Sequence, residues 1–406
     1  MHAYPKSFPS PRIALMLATA LLMVVGLIAA AAADAEVKQG PKGGAFYKPP
    51  KKTPNGHGKA IWQRDSTKLS PIEGAKQNKV LLYTSKSPQG KPIAVSGSLS
   101  VPKGKAPKGG WPVISYAHGT TGTADSCAPT RVKPNSPVGD YVDYVDPQLQ
   151  DWIDAGYAVV RTDFQGLGTP GPHPYLVGES EGRGVLDLVS AARQLNPNLS
   201  NKFLIAGHSQ GGQSALFAAS LAESWSPKLK LRGTVAYAPA SHVLQQGQLL
   251  PALTAPSGLS ALAALIFEGA STTSADIDVD ALLNPPAVAL YPQVDETCLP
   301  QLSESDSFGG IAPSELLKSP VDNTPKFAGA LADMNPAVEI EQPVMLAQGT
   351  DDTTVFPFYT DQLNAELTNL GDSVDYITYP DITHGEVVAA AEDDAMAFFN
   401  KQLPSR

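Results

Sequence analysis

The sequence predicts an α/β protein whose central sheet is mostly parallel. Short β-branched, apolar runs alternate along the chain with segments of helix length, and 42% of the 406 residues are hydrophobic, enough to form a buried core. Strands that alternate with helices are joined by right-handed crossovers, which leave helices on both faces of a parallel sheet. The order of the elements therefore predicts the fold class.

The alternation starts with two neighbouring strands and ends with a helix. Strands are predicted at residues 79–85, 92–101, 111–117, 157–163, 203–206, 231–237, 343–348 and 374–379. Helices are predicted at residues 181–195, 210–223, 357–370 and 386–402. The first of these helices is amphipathic, because Val185, Leu188 and Ala192 fall on one face at helical spacing.

One long segment, residues 239–341, interrupts the alternation and divides the core into residues 61–238 and 342–406. A segment of this length is too long for a loop in a compact domain unless it folds itself. Apolar residues recur at helical spacing in its part 249–266, and acidic and proline-rich stretches follow. We therefore expect an inserted, mainly helical cap. The alternative is a packed subdomain that does not contact substrate.

The N-terminus has the features of a signal peptide over residues 1–35. Lys6 and Arg12 precede an apolar run, and Ala33 and Ala35 are small residues at the positions that signal peptidase recognises. Cleavage after Ala35 predicts a secreted or periplasmic protein. The apolar run is also long enough to span a bilayer, so an uncleaved membrane anchor is the alternative.

Residues 36–60 predict a flexible linker, because they are rich in lysine, proline and glycine and contain few large apolar side chains. Over the whole chain, 30 Lys and Arg oppose 39 Asp and Glu, for a net charge of −9. This balance argues against a nucleic-acid partner, since phosphate contacts require a basic surface. No group of Cys and His has the spacing of a zinc or iron–sulfur site, and we expect no cofactor.

The chain contains two cysteines, Cys127 and Cys298. In an oxidising compartment, an even number of cysteines predicts a disulfide bond. A bond that closes so long a loop stabilises a fold by about 4–5 kcal/mol when the effect is calculated from loop-closure entropy. Two free thiols are the alternative.

A nucleophile is predicted at Ser209, the central residue of G-H-S-Q-G at 207–211. This pentapeptide follows a strand and begins a helix, the context in which G-x-S-x-G forms a tight turn that exposes the serine. Glycines are needed two positions on either side, because larger side chains would collide across the turn. The N-terminus of the helix favours negative charge that develops beside the serine.

A serine hydroxyl becomes a good nucleophile only with a base that takes its proton and a carboxylate that orients the base. On this architecture the acid and then the base follow the serine along the chain. Of seven histidines, only His384 lies between the last predicted strand and the last helix, so we predict it to be the base. Asp351 and Asp352 both follow the preceding strand. Asp352 is favoured as the acid, whereas Asp351 is suited to capping the turn.

Two backbone N–H groups are needed to stabilise an oxyanion. Gln210 directly follows the predicted nucleophile and provides the first of them. The second is expected in the glycine-containing loop after the strand 111–117. Thr120 is the favoured residue there, and Thr121 is the alternative.

These motifs resemble the α/β-hydrolase superfamily, and within it the secretory lipase and carboxylesterase group that includes the fungal lipase A type. The resemblance covers about residues 79–403, and its most group-specific part is G-L-G-T-P-G-P-H-P-Y at 166–175. It implies ester hydrolysis by Ser209, Asp352 and His384 through an acyl-enzyme, with a helical cap that shapes the acyl pocket and no cofactor. The implied partner is an ester or lipid substrate, with transient association with a lipid surface.

Two other functions remain open. A peptidase on this scaffold needs carboxylates in the cap that bind the amino terminus of a substrate. The cap does contain acidic residues, namely Asp276, Asp278, Asp280, Asp295 and Glu296, although a solvated acidic face explains them as well. A non-catalytic binding module would keep the fold without the activity, and the complete set of Ser, Asp and His disfavours it.

Overall fold

The computed structural model describes residues 1–2, 37–66, 71–133 and 136–405. The signal peptide predicted for residues 1–35 lies, after its first two residues, outside this described part of the chain. From Val37 onwards the residues form one unit. Its architecture is that of an α/β protein, with a single sheet between layers of helices.

Nine strands in the described part of the chain form this sheet. They are β1 (Ala60–Asp65), β2 (Gln77–Lys86), β3 (Pro92–Val101), β4 (Trp111–Ala117), β5 (Ala158–Thr162), β6 (Leu199–His208), β7 (Lys230–Tyr237), β8 (Val344–Gly349) and β9 (Val374–Tyr379). Their order across the sheet is β1-β2-β3-β5-β4-β6-β7-β8-β9. The first three pairings are antiparallel and the other five are parallel, so the predicted mostly parallel sheet is confirmed.

The α-helices are α1 (Asp140–Asp143), α2 (Asp146–Ala155), α3 (Gly178–Leu195), α4 (Gln210–Trp225), α5 (Val243–Leu249), α6 (Leu259–Ser271), α7 (Val279–Leu282), α8 (Pro285–Leu290), α9 (Leu299–Leu302), α10 (Pro325–Ala332), α11 (Pro357–Leu370), α12 (Val387–Ala390) and α13 (Glu392–Gln402). The single closing helix predicted for residues 386–402 is divided in two at Ala391. None of the helices in the described ranges combines the length and the apolar character needed to cross a bilayer.

Helices cover both faces of the sheet. On one face, Leu188 of α3 packs in the same buried cluster as Val113 of β4. On the other face, Trp152 of α2 and Phe399 of α13 pack with Ile114 of β4. Successive residues of a strand point to opposite faces, which is why the neighbours Val113 and Ile114 belong to different clusters. The predicted fold class is confirmed.

The residues between β7 and β8 are mainly helical and contain α5 to α10. They have a buried cluster of their own, which includes Phe267 of α6 and Phe327 of α10 with ring centroids 5.3 Å apart. Tyr175 and Leu176 of the loop before α3 belong to the same cluster. Apolar packing therefore joins this segment, which we call the cap, to the rest of the unit.

Residues 36–60 are predicted to be a flexible linker; from Val37 onwards most of them are exposed or half-buried, but two aromatic side chains are packed against the sheet. Phe46 and Tyr47 are buried beside β2 and β3. The Trp62 indole donates to the Phe46 carbonyl oxygen at 2.9 Å, and the Tyr47 hydroxyl donates to the carbonyl oxygen of Thr130 at 2.8 Å. These two aromatic side chains therefore anchor the segment to the sheet, although its average composition is polar.

A disulfide bond joins Cys127 and Cys298, as predicted, with their Cα atoms 5.5 Å apart. It links the segment after β4 to the cap at the start of α9. Beside it, the backbone N–H of Leu299 donates to the carbonyl oxygen of Thr121 at 2.9 Å. The Thr123 hydroxyl also donates to the carbonyl oxygen of Val294, at 2.7 Å. The cap is therefore fastened to the loop after β4 by covalent and hydrogen bonds together.

Replacing both bridged cysteines, Cys127→Ser with Cys298→Ser, should lower the free energy of unfolding. The bond closes a loop with a sequence separation of 171 residues, and the loss expected from loop-closure entropy is about 5 kcal/mol. Urea unfolding of the oxidised protein and of the double variant measures it. A double variant as stable as the oxidised wild type would contradict the expectation.

Candidate active site

Ser209 lies at the turn between β6 and α4, in a backbone conformation that L-residues rarely adopt. Its φ is +59° and its ψ is −117°. The turn is held because the Ser209 N–H donates to the carbonyl oxygen of Tyr237 at 2.9 Å, while the Ser209 carbonyl oxygen accepts from the N–H of Ala240 at 3.1 Å. Backbone strain of this kind persists only where the surroundings enforce it, and it is concentrated at functional sites.

The glycines at 207 and 211 are required by close backbone approaches. A Cβ at Gly207 would lie 2.0 Å from the carbonyl oxygen of Gly211, and a Cβ at Gly211 would lie 1.9 Å from that of Ala117. Both separations are far below any non-bonded contact. The helix can therefore follow the strand at once only if neither position has a side chain, which leaves Ser209 projecting from the turn.

His384 follows β9 and is oriented by a carboxylate. Its Nδ1 lies 2.7 Å from Oδ2 of Asp352. The histidine side chain is 19% exposed, whereas that of Asp352 is fully buried. An imidazole held through Nδ1 in this way has its Nε2 free to exchange a proton with another group.

Asp352 is held firmly by its own loop after β8. Its Oδ1 accepts from the backbone N–H groups of Thr354 and Val355, both at 2.8 Å, and its Oδ2 accepts from Nε2 of Gln348 at 3.0 Å. The neighbouring Asp351 is exposed, and its backbone N–H donates to the carbonyl oxygen of Ile382. Of the two carboxylates, it is Asp352 that contacts the histidine.

Ser209 and His384 line one open cavity of about 640 Å³, which we call the outer cleft. Ser209 also lines a second, narrower cavity of about 120 Å³ that extends beneath α6, and we call this the inner pocket. Most of the inner pocket is lined by aliphatic side chains of the cap. The serine therefore lies at the junction of two compartments of different size and polarity.

The two residues predicted to provide the oxyanion donors are Gln210, which follows the serine in the chain, and Thr120, in the loop after β4. Gln210 is the first residue of α4, so its N–H belongs to the unpaired end of the helix. Thr120 lines both the outer cleft and the inner pocket together with Ser209. Its hydroxyl lies 2.7 Å from the hydroxyl of Tyr175. Among the described residues that line the two cavities, Thr121 is absent, which favours Thr120.

The family model and the solved structures that this chain matches include lipases and an esterase. The secretory lipase family model matches residues 142–300. The closed-state X-ray structure of lipase A from Candida antarctica is similar with a TM-score of 0.73 and 20% identity, over 86% of this chain and 82% of that one. The rice cell wall degrading esterase LipA from Xanthomonas oryzae has a TM-score of 0.68 and 19% identity, over 86% and 98%. No curated protein matches.

The resemblance to secretory lipases is confirmed. The structural similarities show the α/β-hydrolase fold, and the lipase and esterase matches together support an ester hydrolase. The family match includes α3, β6 and the turn at Ser209, and this region contains further polar residues that contact the site.

His208, next to the predicted nucleophile, contacts the loop of His384. Its Nε2 donates to the carbonyl oxygen of His384 at 2.9 Å, and its Nδ1 accepts from the Tyr144 hydroxyl at 2.5 Å. Burial and the neighbouring His384 lower the pKa of His208 well below its usual value, so the ring is neutral, as these two bonds require. Tyr144 has no sequence signal, because it lies outside the motifs in an irregular stretch.

A buried carboxylate, Glu181, lies behind the turn. Its Oε1 accepts from Nε2 of Gln210 at 2.7 Å and from the N–H of Leu176 at 2.9 Å, and its Oε2 accepts from the Ser214 hydroxyl. His173 accepts from the same Gln210 amide at 3.0 Å. The amide side chain of the predicted oxyanion residue is thus held by buried partners on both of its hydrogens.

The sequence contains a signal for Glu181 that can be recognised in retrospect. The residue occupies the same helical face as Val185, Leu188 and Ala192, which is the apolar face. A glutamate on that face must be buried with partners or be neutral. Burial raises the pKa of Glu181 to about 7, although the hydrogen bonds from Ser214, Gln210 and Leu176 favour the ionised form.

Replacing Glu181 with glutamine should change how stability depends on pH. The folded state holds the Glu181 proton up to a pKa of about 7, whereas an ordinary glutamate loses it near 4.5. The protonated Glu181 therefore contributes fully to the free energy of unfolding below pH 4.5. This contribution falls by roughly 3 kcal/mol as the pH rises through 7. Urea unfolding at several pH values should show wild type losing stability relative to Glu181→Gln over this interval.

The matched control for this measurement is Glu304→Gln, because Glu304 is an exposed glutamate of the cap. It should follow the wild-type pH profile. A difference between wild type and Glu181→Gln that is constant with pH would contradict the expected titration.

Proposed function

We propose that the protein is an exported serine carboxylesterase of the lipase type, which hydrolyses acyl esters through Ser209, His384 and Asp352. One observation supports this most directly: His384 donates a hydrogen bond from Nδ1 to Asp352, which holds its ring on the wall of the cleft that also contains Ser209. The strained turn at Ser209 and the match to the secretory lipase family add to it.

The proposed reaction begins when the Ser209 oxygen attacks the carbonyl carbon of the ester. His384 takes the hydroxyl proton at Nε2 and then donates it to the departing alcohol, while Asp352 accepts from Nδ1–H and stabilises the imidazolium. Water then attacks the acyl-enzyme with the same base, which releases the acid and regenerates the serine. The Asp352 carboxylate suits this role because it is buried and accepts several hydrogen bonds, which prevent it from rotating away from His384.

The tetrahedral intermediate carries negative charge on the former carbonyl oxygen. We assign its stabilisation to the backbone N–H groups of Gln210 and Thr120, which border the serine. One such donor contributes about 3–4 kcal/mol in comparable enzymes. The contacts of the Gln210 amide with Glu181 and of the Thr120 hydroxyl with Tyr175 hold both residues in place.

An esterase is favoured over a peptidase by the positions of the acidic cap residues. Asp276 is exposed and pairs with Lys326, and the Asp278 side chain accepts from the N–H of Ala281 at the start of α7. Among the described residues that line the outer cleft and the inner pocket, none of the five acidic cap residues is present. A carboxylate from the cap is therefore not available to bind the amino terminus of a peptide.

The two neighbouring aspartates provide the sharpest test of the mechanism. Asp352→Asn should lower kcat by about 10⁴-fold, because the amide cannot hold the imidazole in the required tautomer. Asp351→Asn, the matched control, should change kcat by no more than about twofold, as is typical of exposed positions. Hydrolysis of p-nitrophenyl butyrate measures both, and Ser209→Ala should lower kcat by about 10⁶-fold. Equal effects of the two Asn variants, or turnover by Ser209→Ala, would refute the assignment.

Export is the other part of the proposal, and it is supported by the disulfide and by the secretory lipase match. Intact-mass analysis of protein collected from outside the cytoplasm should show a chain that begins at Glu36, because cleavage is expected after Ala35. A mass that includes Met1, or recovery with the membrane fraction, would show an uncleaved anchor instead.

A further inference from the structure

The two cavities that meet at Ser209 can be assigned to the two halves of an ester, and this assignment rests on the proposed function. His384 lines the outer cleft, and it is not among the described residues that line the inner pocket. The departing alcohol must receive its proton from His384, so the oxygen of the alcohol lies on the side where the imidazole is. The alcohol therefore occupies the outer cleft, and the acyl chain occupies the inner pocket.

The lining of the inner pocket agrees with an acyl group. Most of its wall consists of apolar side chains from the cap and its edges, including Val243, Leu250, Leu262, Ala263, Ile266 and Phe267. An acyl chain offers no hydrogen bonds, and burying it against such a wall stabilises the complex by about 0.8 kcal/mol per CH₂ group. The chain would enter beside Thr120 and end beneath α6.

The size of the inner pocket limits the length of that chain. Its volume is about 120 Å³. A dry apolar cavity of about 150 Å³ holds one benzene molecule, which has six carbons. A slightly smaller pocket accommodates an acyl chain of at most about six carbons, and longer chains would have to displace the close-packed side chains of the cap.

The outer cleft differs from the inner pocket in both size and chemistry. Its volume is about 640 Å³, and its wall is mixed, because Asp140, Ser257, Ser303 and Thr353 line it together with Leu259, Leu262 and Leu299. Tyr141, also on this wall, is 38% exposed and presents an aromatic ring to the opening. Cavities of about 300–1,000 Å³ receive molecules much larger than a simple alcohol. The cleft thus has room for a large alcohol, and its polar residues offer hydrogen-bond partners to hydroxyl groups on part of that alcohol.

We propose that the preferred substrates are esters in which a short acyl chain, of about two to six carbons, is joined to a large, hydroxyl-bearing alcohol. Ala263 and Ile266, on the wall of the inner pocket, set the limit on chain length. Long-chain triglycerides are excluded by the same wall, since an acyl chain of sixteen or eighteen carbons exceeds the space beneath α6.

The first experiment measures kcat/KM for p-nitrophenyl esters from acetate to palmitate, each below its micelle concentration. We expect a maximum at butyrate or hexanoate and a fall of at least tenfold by dodecanoate. A maximum at dodecanoate or longer would overturn the proposal while leaving the proposed function intact. Turnover of none of the esters would refute the proposed function itself, and this assignment with it.

Variants then test which cavity holds the acyl chain. Ala263→Leu should fill the inner pocket and lower the ratio of hexanoate to acetate hydrolysis at least tenfold. Ile266→Ala should enlarge the pocket and raise the ratio of dodecanoate to butyrate at least threefold. Ala289→Leu, at an exposed position of α8, is the matched control and should leave both ratios unchanged. Unchanged ratios in both pocket variants would overturn the assignment.

The alcohol side is tested by holding the acyl group constant. Glycerol monobutyrate should be hydrolysed with a kcat/KM at least threefold above that of methyl butyrate, and Ser303→Ala in the outer cleft should reduce this preference. The acyl ratios of Ser303→Ala should stay at the wild-type values. A preference for methyl butyrate, or a change in the acyl ratios, would contradict the placement of the alcohol in the outer cleft.

Discussion

The closeness of three backbone segments around Ser209 is the constraint on which the rest of the site depends. The carbonyl oxygens of Ala117 and Gly211 occupy the positions where side chains at 211 and 207 would be. This contact fixes α4 directly behind β6 and aligns the end of β4 beside it. The N–H groups of Gln210 and Thr120 and the loops of His384 and Asp352 all take their positions from these strand ends.

Buried polar groups preserve this arrangement, although each of them loses its hydration when the chain folds. Glu181 is withdrawn from water behind the turn and is fully hydrogen-bonded there, as the high price of an unpaired buried carboxylate requires. His208 is also buried, and its neutral ring donates a hydrogen bond to the carbonyl oxygen of His384. Such networks favour a single geometry, because a shifted turn would leave several donors or acceptors without partners.

Much of the fold could be predicted from local patterns, because most of the central strands and the large helices α3 and α4 are rich in buried apolar residues. β3, β4 and β9 begin and end where the sequence patterns predict. β1 and α2 were not predicted, since their apolar positions are too few to show a period. The anchoring of residues 37–59 at Phe46 and Tyr47 was missed for a different reason: average composition concealed these two residues, and only tertiary contacts could show that they are buried.

The proposed site could be inferred from the sequence where chemistry restricts the residue type, but not where any polar residue would serve. The nucleophile, the base and the choice between two aspartates depend on strand ends, which the parallel order brings together. Glu181 lies on the face of a helix and Tyr144 in an irregular stretch. Their contacts with Gln210 and His208 became visible only in three dimensions.

The bridge at Cys298 has a mechanical consequence for the way a substrate enters. Thr121 is hydrogen-bonded to Leu299, and Thr123 is hydrogen-bonded to Val294. Together with the disulfide, these bonds join this edge of the cap rigidly to the loop that contains Thr120. A movement of the cap at this edge would therefore displace Thr120 from Ser209. This edge of the cap is therefore the part most firmly held in its position beside Thr120.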